Sequence, residues 1–69
     1  MEREPVSSSN LLSIGYDISS ETLEIEFITS GVYQYLNVPQ FMWESLMMAD
    51  SKGRFFNAEI RNTYPCVRV

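Results

Sequence analysis

Gly31-Val32-Tyr33-Gln34-Tyr35, followed by Val38-Pro39 and by Ser51-Lys52-Gly53-Arg54-Phe55-Phe56-Asn57, is the stretch on which the fold turns. A tyrosine pair at strand spacing leads to a proline that can start a helix, and a basic segment with paired phenylalanines closes it. The hairpin entering this stretch decides where the tyrosines point. A two-residue Ser30-Gly31 loop would set Phe27 opposite Gln34 and place both rings beside Glu24 and Glu26. Thr29-Ser30-Gly31 instead suits a three-residue loop ending in a left-handed glycine. Phe27 then faces Tyr33 and Ile25 faces Tyr35. Both tyrosines join the apolar face, and their hydroxyls must reach a partner or the rim.

Upstream, Leu12, Ile14 and Tyr16 alternate with Ser13 and Gly15, and Leu23, Ile25 and Phe27 alternate with Glu24 and Glu26. This is the two-residue period of half-buried strands. Asp17 to Glu21 forms the turn between them. Pairing Tyr16 with Leu23, Ile14 with Ile25 and Leu12 with Phe27 gathers six apolar side chains on one face. Residues 1–10 are polar, contain Pro5 and three consecutive serines, and read as a flexible N-terminal tail.

Downstream, Pro39 suits the first helical position because its missing N–H has no partner there. Met42, Leu46 and Ala49 form one stripe, with Trp43 and Met47 beside it, on a helix running to about Asp50. Asp50-Ser51 can cap a second helix reaching about Asn62, on which Phe56 and Ile60 bury together while Arg54, Ala58 and Arg61 face solvent. The expected fold is α+β. Residues 11–69 form a single domain, a three-stranded antiparallel meander followed by two helices packed on one face. Cys66 to Val69 can add a short extended segment.

A chain of 69 residues has a thin core, so most of its apolar side chains are needed for folding. One cysteine and no histidine leave no ordinary zinc or di-metal ligand set and no imidazole to activate Cys66. Glu24 and Glu26 read as a solvated pair on an exposed sheet face, and Gly53 alone is no phosphate loop. These features point to a non-enzymatic protein with no cofactor and no metal. No apolar run approaches the roughly 20 residues needed to span a bilayer, and no signal-peptide pattern is evident, so a cytoplasmic protein away from membranes is expected. Net charge is −4, divided between −7 over residues 1–51 and +3 over residues 52–69. That cationic end either neutralises the acidic sheet or meets a phosphate or an acidic protein surface.

With these residues placed, the chain resembles the KTSC domain family, small modules found at the C-terminus of some lysyl-tRNA synthetases and as stand-alone bacterial proteins. The resemblance rests on Ile14-Gly15-Tyr16-Asp17, the strand from Leu23 to Phe27, Tyr33-Gln34-Tyr35 and Val38-Pro39. It continues through Leu46, Ala49, Ser51, Gly53, Phe55-Phe56-Asn57 and Ile60-Arg61 to Tyr64-Pro65. It implies an uncharacterised domain for which RNA binding is suggested by its attachment to a tRNA-handling enzyme. Tyr33, Tyr35 and Asn57 are then motif residues with a structural role.

Two functions stay open. In the first, Lys52, Arg54 and Arg61 contact RNA phosphates and Phe55, beside the arginine face, stacks on an unpaired base. In the second, the domain is a protein-interaction module, including a homodimer built on Ile28, Val32 and Leu36 opposite the tyrosines or on a free strand edge.

Overall fold

The glutamate-bearing strand lies at the centre of the sheet in the computed structural model, which describes residues 1–69. This strand, β3 (Thr22–Phe27), pairs on one side with β2 (Leu11–Asp17) and on the other with β4 (Gly31–Tyr35). Two further strands were not expected. β1 (Glu4–Pro5) pairs with β2, and β5 (Cys66–Arg68) pairs with β4, giving a five-stranded antiparallel sheet in chain order. The three-stranded meander is therefore corrected to five strands, with β1 drawn from the segment read as a tail and β5 from the terminal extended segment.

The pairing of Ile14 with Ile25 and of Tyr16 with Leu23 is as expected. Farther along, an irregularity between Leu11 and Ser13 pairs Leu11, not Leu12, with Phe27. An extra residue in one strand turns the following side chains over. Leu11 is buried as a result, and Leu12 is 47% exposed. The hairpin into β4 also differs: Phe27 pairs with Gly31, Ile25 with Tyr33 and Leu23 with Tyr35. This shift of two residues preserves the face of every side chain. Gly31 takes a φ of 95° at the return, a conformation that glycine accepts without steric cost.

Helix α1 (Gln40–Met48) begins just after Pro39, which occupies the N-cap position. Its Leu46 is buried, while Met42, Trp43 and Met47 pack around the core. Trp43 stacks on Tyr16 at 5.0 Å between ring centres, and the Tyr16 hydroxyl donates to the Val38 carbonyl. Helix α2 (Lys52–Glu59) is capped by Ser51, whose Oγ accepts the Arg54 N–H at 3.3 Å. Phe56 and Ile60 bury together with Leu11, Ile14, Leu23, Ile25, Tyr35, Val38 and Leu46 in one core beneath both helices.

The opposite face holds a second correction. Glu24 is 7% exposed, so it is not part of a solvated glutamate pair. Continuing the pairing of β1 with β2 by one residue aligns Arg3, Gly15, Glu24 and Gln34 across neighbouring strands. Because Gly15 lacks a side chain, the Arg3 stem lies across it and the guanidinium reaches Glu24. Gln34 donates to the other Glu24 oxygen at 2.8 Å, Arg3 Nε donates to Ser13 Oγ at 2.9 Å, and Ser13 Oγ donates to Glu26 at 2.9 Å. This network satisfies a carboxylate whose burial would otherwise be costly.

Candidate functional site

At 3.6 residues per turn, Arg54, Asn57 and Ala58 share the outer face of α2, and Arg61 follows them in the closing turn. All four are exposed, opposite Phe56 and Ile60. The Arg61 N–H bonds to the Phe56 carbonyl at 3.0 Å, which anchors the backbone of that turn.

One flank of this helix borders a cleft of about 330 Å³. Its floor is aromatic: Tyr33, Phe27, Phe56 and Tyr35 all line it. These four rings form an edge-to-face chain with centre-to-centre distances of 5.7, 5.4 and 5.2 Å. Such T-shaped contacts are the favoured arrangement of aromatic quadrupoles, so the floor is a stiff surface. Asn57 and Arg61 stand on the helix side, and Asn10, Thr29 and Ser30 on the loop side. No carboxylate lines the cleft. The Arg68 guanidinium carbon lies 5.8 Å from the centre of the Tyr33 ring, within cation–π range, and adds a second cation beside the rim. Burial, with Cys66 nearby, pushes the Tyr35 phenol up to about 12.

The residues singled out for nucleic-acid contact do not converge on one patch. Arg54 and Arg61 share the exposed helix face. Phe55 lies on the other flank, half-buried against the core, and the Lys52 ammonium donates to the Ala49 carbonyl at 3.3 Å. The motif residues Tyr33, Tyr35 and Asn57 meet at the cleft with Arg61 and Gly53. Tyr35 is 5% exposed yet still lines the cleft, so one ring serves both as core material and as wall. Sequence reasoning missed Asn10, Thr29, Ser30 and Arg68 as neighbours of this site. Only the pairing of Tyr33 with Arg68 between β4 and β5 brings the last of these alongside.

On the face considered for self-association, Ile28 is exposed but Val32 and Leu36 are half-buried. The C-terminal segment runs beside them, with Leu36 N–H bonded to the Pro65 carbonyl and Val69 N–H to the Val32 carbonyl. No group of three or more histidine, cysteine, aspartate or glutamate side chains is placed to hold a metal ion. No helix is long and apolar enough to cross a membrane.

Comparison with known proteins places this architecture among relatives. Residues 7–64 match the family described as KTSC domain. An uncharacterised protein of Stutzerimonas stutzeri is 44% identical over 57 residues, covering 83% of this chain and 80% of that protein. A lysine–tRNA ligase of Nostoc punctiforme is 38% identical over 56 residues, covering 81% of this chain but only 10% of the ligase. The crystal structure of a KTSC domain protein from Yersinia pestis superposes with a TM-score of 0.98 at 48% identity, covering 99% of this chain and 96% of that one.

Proposed function

This chain belongs to the KTSC domain family, and from that premise we propose that it is a non-enzymatic binding module for single-stranded RNA. The observation that carries the reading is the aromatic-floored cleft, free of carboxylates and bordered by Arg61 and Arg68, in a chain whose net charge is −4. Cations concentrated around an aromatic surface are what unpaired nucleic acid requires, since guanidinium groups neutralise phosphates and rings accept bases. Arg54 extends the cationic face along α2. Similarity to a segment of lysine–tRNA ligases gives the same ligand class an independent motive.

An NMR titration of the full chain with short single-stranded RNA at two salt concentrations tests this. The expected result is saturable shifts at Arg54, Arg61 and Arg68 that weaken steeply as salt rises. A flat titration at low salt removes RNA as the ligand.

A further inference from the structure

We infer that the cleft is a mononucleotide pocket, receiving one unstacked base against the half-buried rings of Phe27 and Tyr33, which buried Phe56 backs, with its phosphate held by Arg61. The inference rests on the RNA reading and narrows it to a single nucleotide unit, supplied either as the end of an RNA chain or as a free nucleotide.

The cleft differs from a general cationic surface in three respects. Its volume of about 330 Å³ lies at the small end of the range for small-molecule sites, suited to one nucleotide and not to a run of them. Its floor is a linked set of rings rather than a single exposed aromatic, so a heterocycle meets a preformed surface. Its polar groups are also of two kinds. The Asn57 and Asn10 side-chain amides can each donate and accept, as recognition of a base edge requires, whereas Arg61 only donates and suits a phosphate. An aliphatic anion would leave the rings unused, and an uncharged heterocycle would leave Arg61 unpaired.

At Gly53 the helix side of the cleft is closed by the N-terminal segment. A Cβ there would sit 3.5 Å from Ser8 Oγ and 3.8 Å from Asn10 Nδ2, so helix and loop already meet at that point. The way in lies past Thr29, Ser30 and Arg61, all three exposed.

Four probes test the inference by NMR titration of the full chain: adenosine 5′-monophosphate, inorganic phosphate, a short 5′-phosphorylated oligoadenylate, and the same oligomer with an abasic end. Adenosine monophosphate is expected to shift Thr29, Tyr33, Asn57 and Arg61, and to bind about tenfold more tightly than inorganic phosphate. Thr29→Trp, which fills the mouth from an exposed loop, is expected to weaken it at least tenfold. Ser30→Trp provides the same block should the first variant fold poorly. The inference is overturned if inorganic phosphate binds as well as the nucleotide, or if nucleotide shifts bypass the cleft. It is also overturned if both tryptophan variants bind the oligomer as the parent does, an outcome that leaves RNA binding on the arginine face intact. Nucleotide binding in the cleft without any oligomer binding upholds the pocket with a free nucleotide as its source, and it is the RNA reading that then fails. Preference for the intact over the abasic end assigns the RNA terminus.

Discussion

Glu24 is the residue where burial and charge are most closely balanced. Its hydrogen bond from Gln34 and its contact with Arg3 hold the carboxyl below its ordinary range against the opposing effect of burial. Above the unfolded value of about 4.3 the group is ionised in both states and these bonds contribute in full. As pH falls below that value, the unfolded chain takes up a proton first, and the contribution is lost as pH passes down through the depressed folded value. Urea denaturation at a series of acidic pH values should therefore show a shallower loss of stability for Glu24→Gln than for the parent. Arg3→Ala should cost about 1–2 kcal/mol at neutral pH, because it leaves the buried carboxylate with one strong partner fewer, and the gap to the parent should narrow as acid protonates Glu24. An unchanged urea midpoint would show that Gln34 and solvent suffice. Tyr35 has the opposite sign. Its phenol is raised to about 12, so its contribution is whole below about pH 10 and is lost as pH climbs through 12. Alkaline absorbance titration should resolve one tyrosine ionising near 12, and Tyr35→Phe should abolish that step.

At the scale of elements, β1 is held by a missing side chain as much as by pairing. A Cβ on Gly15 would come to 2.5 Å from the Glu2 carbonyl oxygen and 3.0 Å from Arg3 Cγ, so Gly15→Ala must push the N-terminal segment outward. The expected cost is about 1–3 kcal/mol. Amide exchange should localise it: the Val6 N–H, bonded to the Leu12 carbonyl, loses protection while amides between β3 and β4 retain theirs. Equal loss in both places would show that β1 is inseparable from the central strands. The same elements explain what was legible beforehand. The facing of Tyr33 and Tyr35 depends only on the parity of the hairpin, so a two-residue error in register left it intact. The facing of Leu12 depended on a bulge that no residue pattern in β2 announces. With two and three residues, β1 and β5 are too short to show alternation, and Pro5 argues against a strand unless it lies at an edge. Glu24 and Glu26 read as exposed because the residue that covers them, Arg3, lies 21 positions from the first of them. The cleft was illegible for the same reason. Its walls come from the start of β2, the β3–β4 hairpin and α2, which only the folded chain unites.

For the whole molecule, the division of charge along the chain becomes a division in space only in part. Arg3, the sole base among residues 1–51, is committed to Glu24 and Glu26, while Lys52 lies against the end of α1. Arg54, Arg61 and Arg68 are the three arginines exposed around α2 and β5. Each phosphate neutralised on a single strand contributes about −0.7 to the slope of log affinity against log salt. Three such contacts predict a slope of about −2, equivalent to roughly 20-fold weaker RNA binding between 50 and 200 mM salt. Replacing Arg54 or Arg68 by alanine should flatten that slope by about 0.7 each, whereas Lys52→Ala should change it less because its ammonium is drawn to the Ala49 carbonyl. Fluorescence anisotropy with a labelled single-stranded RNA across this salt range reads all four slopes. A slope that Arg54→Ala and Arg68→Ala leave untouched would mean that neither arginine meets phosphate. Phosphate contact would then fall to Arg61 at the cleft, and Arg54 and Arg68 would serve only to offset the net negative charge carried by the rest of the chain.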